Sequence, residues 1–340
     1  MKNIFVITIV ILICTLFSAC DKKQDTNTQT TKPVSVKIGL VFDVGGKGDK
    51  SFNDAAYRGL ERAKRDSGID FEVIDPGAGE DRESALRKLA SKPEIGLIFG
   101  IGFIFTDDIT QIAKDFPDKK FACIDYTVNK SKEIPSNLLA LEFKEEEGSF
   151  LVGALAAYIS KTGKIGFVGG MESPLIKKFE TGYINGAKYA NKNIKIFSTY
   201  VGVTGEGFKN SSKAKEIALT QYNNGADIIY HASGLSGIGV FEAAKEMKKL
   251  VIGVDLDQYA EAPGYVLTSM TKQVDEMVYQ TIVEFINNKF TGGIKNLGLK
   301  EKGVNYVYDA NNQNLIPKDV YDKVEAIREK IINGEIKVMN

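Results

Sequence analysis

The chain has 340 residues, of which 43% are hydrophobic and 26% charged, so it can build two lobes with their own cores and is not an intrinsically disordered protein. Lysine plus arginine (44) balances aspartate plus glutamate (44). No overall basic field therefore attracts nucleic acid or anionic lipid, and nucleic-acid binding is disfavoured.

The first residues read as a targeting segment. Lys2 supplies positive charge, an apolar run extends from Ile4 to Phe17, and the small residues Ser18 and Ala19 precede Cys20. The run is too short to span a bilayer comfortably. Small residues ending in a cysteine at this point resemble the lipobox of bacterial lipoproteins, which implies a signal peptide over 1–19, lipidation of Cys20 and removal of Cys14. Cys123 then remains as the one free thiol, so no intramolecular disulfide is expected, and its apolar neighbours mark it as a small buried hydrophobe. Residues 21–35 have no aromatic side chain and are rich in Lys, Thr, Asn and Gln. They read as a solvated tether that would span on the order of 20 Å.

From Val36 onward short apolar runs alternate with amphipathic stretches, the pattern of parallel sheets with crossover helices. Strands are predicted at Val36 to Phe42, Phe71 to Ile74, Ile95 to Phe99, Phe121 to Ile124 and Leu138 to Leu141. A second set is predicted at Lys164 to Val168, Lys195 to Val201, Ile228 to His231, Val251 to Val254 and Tyr265 to Ser269. Helices are predicted between them, including Asn53 to Asp66, Lys213 to Asn223 and Val240 to Lys248, with a last helix at about Pro317 to Ile332.

The two sets echo each other. At a constant offset of 127, Lys37, Ile38, Gly39, Val41, Phe52, Gly59 and Ala63 recur as Lys164, Ile165, Gly166, Val168, Phe179, Gly186 and Ala190. KKFACID, ending at Asp125, likewise parallels KKLVIGVD, ending at Asp255. The pattern predicts two similar α/β lobes whose fourth strands each finish in an aspartate.

Ligands of open parallel sheets sit beyond the carboxyl ends of the strands, so two such lobes facing each other enclose one cleft. The loop from Phe42 to Asn53 holds Gly45, Gly46, Gly48 and Asp49 before Ser51, a plausible helix N-cap, and can bring backbone amides close to a ligand. Other chemistries fit poorly. A Walker A loop needs Gly-Lys-Ser/Thr, whereas this loop ends Asp49-Lys50-Ser51, with a carboxylate where phosphate would press. GKGDKS lacks the third glycine of a dinucleotide fingerprint, and GLSGIG from Gly234 has the wrong spacing. There is no GxSxG elbow, and the single histidine, His231, excludes a His-rich metal site and reads as a structural residue. Neither an enzymatic activity, a cofactor nor a metal is expected.

The loop DVGGKGDKSFN, the IDY at Asp125, the GEGF ending at Phe208 and the GVDLDQ around Asp255 together resemble the basic membrane protein family of bacterial lipoproteins, in particular its purine nucleoside receptor branch serving ABC importers. The likeness runs from about Val36 to the C-terminus. It implies a type I periplasmic-binding-protein fold, α/β, with two similar doubly wound lobes around a ligand cleft and three hinge crossings. The lobes would be 36–143 with about 270–296, and 144–269 with about 297–340. By the same resemblance Phe52 and Phe208 would stack on a purine nucleoside such as inosine, adenosine or guanosine, Asn53 and Asp125 would read the base edge, and Asp255 and Lys272 would hold the ribose. Asp43, Asp49, Ser51 and Gly234 are further candidate contacts. An ABC permease would be the partner, and the protein would be lipid-anchored in the cell envelope on the periplasmic or surface side. Another small solute such as a sugar or signal molecule, or a role as a surface adhesin or sensor, is the alternative.

Overall fold

The computed structural model describes residues 36–76, 81–129, 131 and 133–339. The signal peptide, Cys20 and the tether expected over 1–35 lie outside the described residues. In the first half the elements are β1 (Lys37–Val41), α1 (Phe52–Ser67), β2 (Phe71–Ile74), α2 (Arg82–Ala90), β3 (Ile95–Ile101), α3 (Thr106–Asp115), β4 (Lys120–Ile124) and β5 (Leu138–Phe143). There follow α4 (Glu145–Ile159), β6 (Lys164–Met171), α5 (Pro174–Ala190), β7 (Lys195–Gly202), α6 (Ser211–Asn223), β8 (Ile228–Ala232), α7 (Gly237–Met247), β9 (Leu250–Asp255) and β10 (Val266–Lys272). The chain ends with α8 (Val274–Ile286), β11 (Gly293–Leu297), β12 (Val304–Tyr306) and α9 (Lys318–Ile332).

Two six-stranded sheets form, ordered β2-β1-β3-β4-β5-β11 and β7-β6-β8-β9-β10-β12. Among the described strands only β10 and β12 pair antiparallel. Central strands such as β3 and β8 are almost wholly buried, because helices cover both faces of each sheet and leave no polar side to the strand. This is the two-lobed α/β architecture expected from the alternating runs. In each lobe the order turns back between its first and third strands, the switch point where an open sheet presents a crevice.

The offset of 127 maps β1 and α1 onto β6 and α5. Two of the repeated residues mark how the lobes are built. A β-carbon on Gly59 would lie 2.6 Å from the carbonyl oxygen of Asp275 in α8, and one on Gly186 would lie 1.9 Å from that of Phe150 in α4. The first helix of each repeat thus packs backbone to backbone against a helix that only glycine admits. The two partner helices each follow a passage between the sheets.

There are three such passages. β5 leads through Lys144 into α4, which packs on α5 in the second lobe; β10 leads through Gln273 into α8, which packs on α1 in the first; and β11 leads through 298–303 into β12. β10 stays with the second sheet through Lys272, further than the strand predicted to end at Ser269. α9 packs against α4. No helix among the described residues is long and apolar enough to cross a membrane.

Candidate functional site

The carboxyl ends of the strands of both sheets converge on a narrow cavity of about 50 Å³ between the lobes. The first lobe contributes Asp43, Val44, Asp49, Phe52, Asn53, Phe103 and Asp125 to its wall. The second contributes Leu175, Ile176, Phe179, Phe208, Gly234, Asp255 and Lys272, among others. Nine of the ten candidate residues named from the sequence line this one cavity; the tenth, Ser51, is buried behind it.

The chain makes the site partly by strain. Lys50, Asp125 and Asp255 have φ of 56°, 62° and 66°, an uncommon region for side-chain-bearing residues. Asp125 follows β4 and Asp255 ends β9, the fourth strand of each lobe. The same left-handed turn at both strand ends therefore puts a carboxylate into the cleft from each side.

One buried cation faces these acids. Lys272 is 2% exposed, and its Nζ lies 2.6 Å from Asp125 Oδ2 and 3.6 Å from Glu145 Oε1. Its ammonium also stands 4.7 Å from the ring centre of Phe52, 5.3 Å from that of Phe143 and 5.5 Å from that of Phe179. Burial works to lower the Lys272 pKa, but Asp125, Glu145 and Asp255 outweigh it and hold the group charged. Asp125 spends one carboxylate oxygen on Lys272, whereas its Oδ1 is buried with no hydrogen-bond partner. An acceptor buried without a donor costs about 1–3 kcal/mol, so a ligand N–H or O–H placed there would recover it.

The remaining candidates divide into wall and scaffold. Asp49 accepts from the backbone N–H groups of Ser51, Asn53 and Asp54, so it, and not the side chain of Ser51, caps α1. The Ser51 hydroxyl instead donates across the cleft to Asp255. Asn53 is similarly committed: its Oδ1 accepts from Asp43 N and its Nδ2 donates to Asp49. Only its second N–H and a lone pair are left for a ligand. Phe208 lies in a polar stretch that argues against core burial, yet it is 9% exposed, because its ring lies against the backbone of Gly170 at the end of β6.

Sequence reasoning passed over Glu145, Phe103, Leu175, Ile176 and Phe179 as site residues. Phe179 carried a signal, being the offset-127 counterpart of Phe52. Glu145 carried none; its place behind Lys272 depends on where the first passage between the lobes falls.

Burial raises Asp43 to about 7 and Asp49 to about 6, in each case against the pull of backbone N–H donors, and it raises Glu145 and Asp255 as well. A carboxyl whose folded pKa lies above its unfolded value stabilises the fold at low pH and loses that contribution as pH rises through the folded value. Asp43→Asn keeps an oxygen for the Val44 N–H and removes the buried charge. We expect it to raise the melting temperature at pH 8 and to raise it less than half as much at pH 5, because the penalty builds up from 3.8 to about 7. The difference between 3.8 and about 7 caps the gain at about 4 kcal/mol, at about 1.4 kcal/mol per unit. Melting curves of the two proteins at both pH values check it.

The profile of the family described as ABC transporter substrate-binding protein PnrA-like matches residues 36–340. Basic membrane protein A of Borreliella afzelii is 40% identical over 308 residues, covering 89% of this chain and 91% of that protein. An uncharacterised lipoprotein of Pyrococcus furiosus is 35% identical, covering 92% of this chain and 86% of that protein. The crystal structure of an ABC transporter solute-binding protein from Aeropyrum pernix superposes with a TM-score of 0.82 at 30% identity, covering 89% of this chain and 92% of that one. Family and fold are those of non-enzymatic substrate-binding proteins, which agrees with a cleft built to enclose a molecule. The chain belongs to the PnrA-like family of ABC transporter substrate-binding proteins.

Proposed function

We propose that this protein captures a purine nucleoside between its lobes and presents the closed form to an ABC permease, held at a bacterial membrane by lipid on Cys20. What carries the reading is the composition of the cavity wall: phenylalanines from both lobes beside an aspartate at the end of each fourth strand, one with an unpartnered oxygen. Flat apolar faces suit a base, and carboxylates suit the N–H groups of a purine and the vicinal hydroxyls of a ribose. Rotation of the lobes about Lys144, Gln273 and 298–303 would open and close the cleft.

The acids also set what is refused. Lys272 is the one lysine or arginine in the described wall, against Asp43, Asp49, Asp125 and Asp255. A 5′-phosphate carrying about −1.5 to −2 charge would enter a site with no spare cation. Calorimetric titration of the ligand-stripped chain starting at Lys32 is the test, with inosine, adenosine, guanosine, their 5′-monophosphates, free bases, pyrimidine nucleosides and sugars. Binding of a purine nucleoside in the micromolar range or tighter is expected, about 8 kcal/mol, with the monophosphates at least ~100-fold weaker. Binding of a sugar alone, or silence from every nucleoside with the fold intact, would reject the ligand.

A further inference from the structure

Among the described residues, three hydrogen-bonded contacts join the lobes across the closed cleft. Asp125 meets Lys272, Ser51 meets Asp255, and Gln258 Nε2 donates to the backbone carbonyl of Lys50 at 2.9 Å. The third differs from the others in having no part in the cavity wall. Gln258 is 3% exposed, and its amide is fixed from behind: Oε1 accepts from Val254 N at 2.7 Å and lies 3.1 Å from His231 Nε2. Its own backbone N–H donates to Ser269 Oγ at 3.0 Å.

These bonds assign the histidine. Since Gln258 Oε1 can only accept, His231 carries its proton on Nε2, and Nδ1 is left to accept from Ser233 Oγ at 3.3 Å. The ring is fully buried against Phe241, and burial lowers its pKa to about 4, so it stays neutral across the physiological range. Room has been made for it: a β-carbon on Gly237 would lie 2.1 Å from His231 Cε1. The carbonyl it serves is equally prepared, because Lys50 is the residue of the glycine-rich loop held at φ 56°.

We propose that Gln258 is a positioning residue for capture, a latch that holds the lobes closed by gripping the Lys50 carbonyl, with His231 fixing its amide so that the NH₂ faces the opposite lobe. The inference rests on capture by lobe closure and not on which solute is captured. With Oε1 locked by two donors the NH₂ cannot turn away, so the bond forms whenever the lobes meet and no side-chain search is needed. Ser233 and Gly234 follow β8 and line the cavity, which ties the latch to the wall through His231. The latch acts on the closed state alone, so it slows release and leaves association largely untouched.

Gln258→Glu is the test, since it keeps an oxygen for His231 and Val254 and turns the NH₂ into a second oxygen facing the Lys50 carbonyl. The chain starting at Lys32, which lacks Cys14 and Cys20, is labelled at Thr127→Cys and Val203→Cys, two exposed positions on opposite lobes, with Cys123 buried and out of reach. Interlobe distance is measured without ligand, and inosine release by stopped flow. The expected result is a shift of the unliganded protein toward the longer distance, with release at least ~10-fold faster and association within about threefold, the size of one lost hydrogen bond of ~1.4 kcal/mol. His231→Phe, which keeps the ring and its packing but gives Gln258 no donor, is expected to move both readouts the same way by about threefold. Distances and release rates equal to the parent in both variants, with melting transitions retained, overturn the latch. If inosine does not bind at all, the nucleoside assignment fails, and the distance measurement still decides the latch.

Discussion

Lys272→Met is expected to destabilise the protein by about 3–5 kcal/mol at pH 7.5, the usual cost of removing one partner from a buried ion pair. The methionine fills the same channel between Phe52, Phe143 and Phe179, so the loss is electrostatic and not a cavity. Asp125 loses its 2.6 Å partner, and Glu145, whose Oε1 already lacks a hydrogen bond, loses the charge 3.6 Å away. Burial already raises Glu145 and Asp255, and without the ammonium they rise further. Carboxyls raised above their unfolded values favour the fold in acid and penalise it as pH rises through the raised values. The deficit should therefore shrink between pH 8 and pH 5, and Lys272→Met combined with Asp125→Asn should recover part of it. Urea unfolding at several pH values gives the answer. A pH-independent loss below 1 kcal/mol would mean that the ammonium is hydrated in solution and the pair is not buried there.

Phe208→Ala should weaken purine nucleoside binding roughly 5- to 150-fold, and Phe52→Ala should do the same, from base–aromatic stacking worth about 1–3 kcal/mol per face. The two variants should differ in stability. Phe208 is a buried core residue against Gly170, and its loss should also cost the fold about 3–5 kcal/mol. Phe52 is only half-buried at the mouth of α1, so its variant should stay close to parental stability. Calorimetry with inosine beside melting curves separates the effects. Parental affinity in Phe52→Ala would remove that ring from the ligand contacts. Its neighbour Lys272 would then be the reason for a phenylalanine at this place, through the 4.7 Å approach of the ammonium to the ring.

Much of this molecule was written locally. Apolar runs bounded by glycine and lysine give strands their place, because a parallel strand buried on both faces has to be apolar throughout. The repeat at offset 127 and the paired KKFACID and KKLVIGVD segments gave the two lobes and the matching aspartates, since a duplicated packing problem keeps the same residues at its tightest points, such as Gly59 and Gly186. Nine of ten candidate site residues meet in one cavity because the ends of parallel strands are bound to converge.

What the sequence left open are the pairings made across long separations. Whether Ser51 caps its own helix or reaches Asp255, 204 residues away, depends on the distance between the lobes, which no local pattern encodes. Asp49 and Ser51 are both good capping residues, and only the closed cleft decides that the carboxylate caps α1 while the hydroxyl crosses. Glu145 reads as one of three acids in a helical first turn, and it becomes the second counter-charge of Lys272 only because the first and second passages between the lobes lie side by side. The sequence by itself determined the lobes, the strand ends and the chemistry that gathers there. The tertiary structure decided which of those groups face a ligand and which hold one another, because burial and charge pairing depend on neighbours brought from the far half of the chain.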